Sequence, residues 1–195
     1  MEWRVDVLCE SDLESLLKKR IPPKTWKHSC SVAKFLADIA GHVELDPEKA
    51  RLAGLLHDMC KGKTPAELLR QAQDFGLQLS PAAQEKPALL HGPVAAELCR
   101  RELGISDPEI YEAIYWHTTG KPGLNLLGLC LVLADFSEPL REYREAQEAR
   151  TLFYREGLLP AVRYIARKKL DHARSRPPVD PATQAFVDWL DEVGS

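Results

Sequence analysis

Two stretches of this chain are too apolar to lie anywhere but inside a folded protein, and each carries a carboxylate. Leu52-Ala53-Gly54-Leu55-Leu56-His57-Asp58-Met59-Cys60 is interrupted by Asp58, and Leu126-Leu127-Gly128-Leu129-Cys130-Leu131-Val132-Leu133-Ala134-Asp135 ends on Asp135. A helix that is apolar almost all round is buried. An ionised carboxylate in such a place is costly, and shifts towards its neutral form, unless it is paired or ligated. Neither run contains an arginine or lysine, so the partners of Asp58 and Asp135 must come from elsewhere in the chain. Four of the six histidines, His28, His57, His91 and His117, fall on the apolar face or at the end of a predicted helix. Imidazoles and carboxylates gathered together suit a shared cation.

The spacing of apolar residues predicts helices throughout, and hence an all-α bundle with ligands converging from several helices. Ser11-Asp12-Leu13-Glu14 has the spacing of a capping box and predicts a short first helix. A second helix is predicted from about Lys24 to Gly41, with His28 four residues before Val32 on the buried side. Asp46-Pro47 supplies a cap and a first-turn proline for a third helix that carries His57 and Asp58 near its end. Ala50, Ala53, Gly54 and His57 share one face of it, so small residues let a neighbouring helix come close.

Thr64-Pro65-Ala66-Glu67 starts another helix that Gly76 ends, and the stretch from Leu77 to Pro87 reads as loop. Leu89 to Leu103 is predicted helical, with His91 in its first turn. Asp107-Pro108 caps a helix bearing Ile110, Ala113, Ile114 and His117 on one face, stopped by Gly120 and Pro122. After the apolar run comes a long helix from about Glu145 to His172. Asp180-Pro181 then caps a last helix with Ala182, Ala185, Phe186, Trp189, Leu190 and Val193 at helical spacing.

Several classes of function are excluded or disfavoured. The 195 residues, 45% hydrophobic and 28% charged, fit one domain with a substantial core. No apolar run approaches the ~20 residues that cross a bilayer, and no leader-like start is present, so a soluble cytoplasmic protein is expected. Five scattered cysteines argue against a disulfide framework or a cysteine zinc knuckle. A net charge of −3 gives no general attraction to nucleic acid or anionic membrane. The basic group Arg163, Arg167, Lys168, Lys169, Arg174 and Arg176 is interleaved with apolar residues and reads as a solvated helix face. No serine or cysteine nucleophile and no phosphate-cradling glycine loop stands out.

Taken singly, each histidine fits a satisfied core or capping residue, and a His-Asp dipeptide arises often by chance. The conjunction points to a metal site. The order His28, His57-Asp58, Asp135 resembles the signature of the HD-domain metal-dependent phosphohydrolases, and His91 and His117 match the additional histidines of members with two metals. Four segments carry a closer resemblance: Ala53 to Lys61, Leu89 to Ala96, Ala113-Ile114-Tyr115-Trp116-His117-Thr118-Thr119-Gly120, and Ala134-Asp135-Phe136-Ser137-Glu138-Pro139-Leu140-Arg141. They look like successive motifs of the bacterial YqeK family, symmetrical diadenosine tetraphosphatases. The match spans residues 24–170 of a single domain, with residues 1–23 and 177–195 as helical additions. It departs at Lys24-Thr25-Trp26-Lys27, where relatives carry a second basic residue in place of Thr25, so Lys24 or Lys27 would have to substitute.

The resemblance implies that His28, His57, Asp58 and Asp135 hold one metal and that His91 and His117 hold a second, with Asp58 as the bridge. It implies iron first, with manganese or zinc as alternatives; imidazole with carboxylate suits all three. Two ions about 3.5–4 Å apart activate a water and neutralise charge on phosphoryl oxygens. Asp58 and Lys61 are the catalytic candidates, Lys61 lying one turn beyond His57 if the helix continues. Lys61, Thr118, Thr119, Gly120 and Arg141 are the candidate substrate contacts, with Arg141 ranked above Arg144 and Arg150. Each has a plainer role: Lys61 as a solvated lysine at a helix end, Gly120 as a helix C-cap, Arg141 as a surface ion pair. The implied reaction is central cleavage of diadenosine tetraphosphate to two ADP, in a homodimer. A hydrolase of mononucleotides or other phosphate esters, and a metal-stabilised regulatory module, remain as alternatives.

Overall fold

The computed structural model describes residues 10–193, with side chains from Leu13 onward. The helices of this segment are α1 Glu10–Arg20, α2 Pro23–Ala40, α3 Pro47–Leu56, α4 Pro65–Asp74, α5 Pro81–Glu85, α6 His91–Glu102, α7 Pro108–Trp116, α8 Leu126–Ser137, α9 Arg144–Glu156, α10 Leu158–Arg174 and α11 Pro181–Glu192, with a 3-10 turn over Pro87–Leu90. No strand occurs among the described residues, as an all-α class requires.

Side chains that satisfy free backbone N–H groups set most helix starts. Asp46 accepts from the N–H groups of Glu48 and Lys49, Thr64 forms a full capping box with Glu67, and Asp107, Asn125 and Asp180 cap α7, α8 and α11. Proline follows the cap at Pro47, Pro65, Pro81, Pro108 and Pro181, where its missing N–H costs nothing.

Five features differ from the sequence expectation. Ser11 lies within α1 instead of ahead of it, and its side chain falls outside the described residues. The segment read as loop contains α5, begun by the Ser80 hydroxyl accepting from the Ala83 N–H, and the helix expected from Leu89 starts at His91 after the 3-10 turn. The long helix predicted from Glu145 to His172 is two, because Gly157 adopts φ +94°, a conformation that breaks the helix and that side chains with a Cβ rarely take. Finally, α3 ends at Leu56, so His57 and Asp58 stand just past it in tight turns.

The middle of the bundle is α8, buried along nearly its whole length from Leu127 to Asp135. It packs against α2, α3, α7, α9 and α10, and one continuous apolar core joins Leu13 in α1 to Leu190 in α11. α11 packs on this core through Phe186, Val187 and Leu190, whereas Val193 at its end is exposed. No helix among the described residues is long and apolar enough to cross a membrane. The described cysteines Cys30, Cys60, Cys99 and Cys130 are free thiols, the last three buried.

The most extensive helix contact among the described residues is α2 on α3, and Gly54 lets the two come close. A Cβ on Gly54 would stand 2.6 Å from the Ala33 Cα and 2.8 Å from its N, with only rigid backbone to yield. Gly54→Ala is therefore expected to destabilise by about 1–3 kcal/mol. At roughly 2–4 °C per kcal/mol for a chain of this size, a thermal melt followed by circular dichroism reads this directly. An unchanged midpoint would mean that the two helices separate freely.

Candidate metal centre

Five helices deliver the six candidate ligands to one place. His28 comes from the second turn of α2, His57 and Asp58 from the end of α3, His91 from the start of α6, His117 from the end of α7, and Asp135 from the last turn of α8. His57, Asp58 and His117 are almost wholly buried, and His28 is half-buried.

The Asp58 carboxylate sits between two groups of ligands. Its Oδ2 faces His57 Nε2 at 3.4 Å and His28 Nε2 at 3.7 Å, and its Oδ1 faces His91 Nε2 at 3.3 Å and His117 Nε2 at 3.7 Å. Asp135 Oδ1 completes the first group, 3.1 Å from His28 Nε2 and 3.7 Å from His57 Nε2. Within each group, His28/His57/Asp58/Asp135 and Asp58/His91/His117, the donor atoms lie within 4.8 Å of one another.

The imidazole orientations show what the groups can bind. The Nδ1–H of His57 donates to the Gly54 carbonyl at 2.8 Å, that of His91 to Ala88 at 2.5 Å, and that of His117 to Ile114 at 2.7 Å. His28 Nδ1–H donates to Glu138 Oε1 at 3.1 Å. Each bond places the proton on Nδ1 and turns the lone pair of Nε2 inward, the arrangement that metal-ligating histidines use. His91 Nε2 and His117 Nε2 then face each other as lone pairs 3.0 Å apart. His57 Nε2 and Asp58 Oδ1 are buried with no hydrogen-bond partner. Lone pairs crowded round a buried carboxylate are stable only with positive charge among them. The donor set is thus that of a divalent-metal site.

The electrostatics show where positive charge is called for. Burial would lower the pKa of His57, but the carboxylates of Asp58 and Asp135 outweigh it and push the imidazole up to about 10, so without a metal a proton on Nε2 answers those carboxylates, and a bound cation would take that proton's place. Burial would raise Asp58 and Asp135, yet the histidines around them hold both well below the usual carboxylate range. His117 is pushed down to about 4 mainly by burial, keeping it neutral and able to donate a lone pair. Donors that are neutral imidazole and ionised carboxylate fit iron, manganese or zinc.

Lys61 and Arg141 line the same centre. Past Leu56 the backbone closes tight turns, with the Met59 N–H on the Leu56 carbonyl and the Lys61 N–H on that of Asp58. The helix does not continue, so Lys61 does not stack one turn beyond His57. Its Nζ instead lies 2.7 Å from Asp58 Oδ2. Arg141 donates to Asp135 Oδ1 at 3.2 Å. Thr118 Oγ1 lies 3.2 Å from His91 Nε2 and 3.1 Å from His117 Nε2. Thr119 lines a small adjoining cavity. Gly120 uses its N–H on the Trp116 carbonyl at 2.7 Å, the plainer capping role, so that N–H is not available to a ligand. Arg144 pairs with Glu148 on the surface, and Arg150 holds the Ser137, Glu138 and Arg141 carbonyls, fixing the loop that carries Arg141.

Two residues escaped the sequence reading. Glu138 is buried, orients His28, and accepts from Ser31 Oγ at 2.5 Å and from the Leu140 N–H at 2.7 Å. It directly follows the apolar helix that singled out Asp135, so the same argument could have found it. Lys169, read as part of a solvated face, turns inward and donates to the His117 carbonyl at 2.9 Å. Its position four residues after Ile165 puts it on the buried stripe of α10, which is the signal that was available.

The HD domain model matches residues 25–154 of the chain. This match, with the helical fold and the converging His, His-Asp and Asp ligands, defines an HD-domain protein. Among solved structures, one described as a predicted HD superfamily hydrolase involved in NAD metabolism, from Clostridium acetobutylicum, superposes with a TM-score of 0.91 at 26% identity, covering 96% of this chain and 99% of that one. A Staphylococcus aureus protein named "Bis(5'-nucleosyl)-tetraphosphatase, symmetrical" is 34% identical over 79% of each chain. Proteins of the same name from Bacillus subtilis and Halalkalibacterium halodurans are 29% and 32% identical over 89% and 70% of this chain, and 93% and 72% of their own lengths. The chain belongs to this family of HD-domain symmetrical bis(5'-nucleosyl)-tetraphosphatases.

Because one carboxylate serves both ligand groups, Asp58→Ala is expected to empty both, whereas His91→Ala should leave the His28/His57/Asp58/Asp135 group loaded. Metal per chain measured by plasma mass spectrometry separates these outcomes. Full metal content in Asp58→Ala would show that the carboxylate is not shared.

Proposed function

We propose that this protein hydrolyses diadenosine tetraphosphate at its centre, giving two molecules of ADP. The observation that carries this reading is that three relatives matched over 70–89% of the chain bear the name of that symmetrical activity. The mononucleotide and regulatory alternatives have no comparable support.

The ligand groups would hold two divalent ions, His28, His57, Asp58 and Asp135 one and His91 and His117 the other with Asp58 between them. Iron is the first choice, by the family resemblance, with manganese or zinc as alternatives. Such ions supply Lewis acidity, which acidifies a water and neutralises phosphoryl oxygens.

The side chains do the rest. Asp58 holds the two groups in register through its two oxygens. Glu138 and the three carbonyls fix the histidine rings, so no reorientation is needed when charge develops. Lys61 and Arg141 put an ammonium and a guanidinium at the mouth of the centre. Both are partly exposed and rest on ligand carboxylates in this structure. There they meet phosphate oxygens, and Lys61 offsets the charge that appears on the departing ADP when the central P–O bond breaks and water oxygen joins phosphorus. The Thr118 hydroxyl is placed to donate to a phosphoryl oxygen beside His91 and His117, and Thr119, next along the chain, lines the edge of the same region.

Lys24 and Lys27 are both exposed at the start of α2, where either could stand in for the basic residue replaced by Thr25. We place the reaction in the cytoplasm, with a small nucleotide and not nucleic acid as partner. The acting form is a homodimer by resemblance.

Ion-exchange analysis of diadenosine tetraphosphate after incubation with anaerobically iron-loaded protein tests the reaction. ADP as sole product is expected; ATP with AMP, or intact substrate, would refute central cleavage. Lys61→Ala should keep its metal and lose about 10–100-fold in kcat/KM, the scale of one hydrogen bond to a charged group. Unchanged kinetics would return Lys61 to a solvated surface role.

A further inference from the structure

Large apolar side chains exposed among the described residues are few: Leu126, Leu140, Tyr143, Tyr154 and Val193. Two of them flank Arg141 in the short loop between α8 and α9. Leu140 is 50% exposed and Tyr143 40%. The Tyr143 ring is held in place. The Tyr143 hydroxyl donates to the Phe136 carbonyl at 2.6 Å, and its ring meets the Phe136 ring edge-on, centroids 5.6 Å apart. Phe136 is the residue after Asp135. Arg141 spans the interval, one guanidinium nitrogen 3.2 Å from Asp135 Oδ1 and another 3.3 Å from the Tyr143 hydroxyl.

The loop thus runs from a metal ligand, through a fixed guanidinium, to an exposed aromatic ring beside a leucine. A nucleotide has the same order of chemistry, from phosphate to planar base. Two side chains make too small a patch for a protein partner, whose interfaces bury about 800 Å² a side. We propose that Tyr143, with Leu140 at its edge, is the platform on which one nucleobase of the substrate stacks, while Arg141 holds a phosphate of the same nucleotide. This deepens the dinucleoside polyphosphate reading and rests on it. Stacking is tolerant because every base has a π-face, so the platform selects for a base and does not separate adenine from guanine.

Titration calorimetry on the metal-loaded protein tests the platform with two probes, ADP and methyl diphosphate, the second lacking a base. Tyr143→Ala should weaken ADP about ten-fold or more, the size of a lost base–aromatic stack, and leave methyl diphosphate unchanged, which also shows that the variant is folded. Tyr143→Phe, which keeps the ring, should bind ADP like the unsubstituted protein. The platform is overturned if Tyr143→Ala binds ADP normally or loses both probes equally. It is equally overturned if Tyr143→Phe is as weak as Tyr143→Ala, since the hydroxyl holding Arg141 and Phe136 would then be what matters. Products of diadenosine tetraphosphate turnover, read in the same preparations, judge central cleavage separately: ATP with AMP would refute that reading, whatever the ADP affinities say of the platform.

Discussion

A buried carboxylate shared between two sets of imidazoles is the interaction on which the rest of this structure depends. Asp58 is fully buried and its oxygens face opposite ways, one towards His28 and His57 and the other towards His91 and His117. An isolated ion there would be untenable. The five helices that converge on it therefore do two things at once, closing an apolar core and bringing lone pairs to a charge that the core could not otherwise tolerate.

Precision at this point comes from helix ends more than from helix faces. His57 and His117 cap the C-termini of α3 and α7, and His91 opens α6, so each ring can bond a carbonyl three residues back and present Nε2 to the centre. His28 sits on an uninterrupted helix with no such free carbonyl and takes the Glu138 carboxylate instead. Glu138 in turn belongs to a loop that Arg150 clamps through three carbonyls, the same loop that presents Arg141 and Tyr143. One buried acid and one half-buried guanidinium thus tie the His28 and Asp135 side of the centre to the loop that carries Arg141 and Tyr143.

The turns after Leu56 decide where Lys61 lies. An α-helix continued through Asp58 would have carried Lys61 along the His57 face. The tighter turns bring the ammonium onto the Asp58 carboxylate instead.

Much of this was legible in the chain itself. Apolar periodicity with capping residues marked most of the helices, because caps and prolines act locally and need no tertiary partner. Carboxylates inside apolar runs marked Asp58 and Asp135, because the cost of burying charge can be read from the company a residue keeps. The same reasoning missed Glu138 by stopping at Asp135, and missed Lys169 because basic neighbours hid its place on the apolar stripe of α10. What only the tertiary structure decided is which oxygen of Asp58 faces which histidines, which ring nitrogen points inward, and that Lys61 meets Asp58. These depend on how separate helices approach one another, down to the missing Cβ at Gly54, and no spacing along the chain encodes distances between residues that are brought together only by packing.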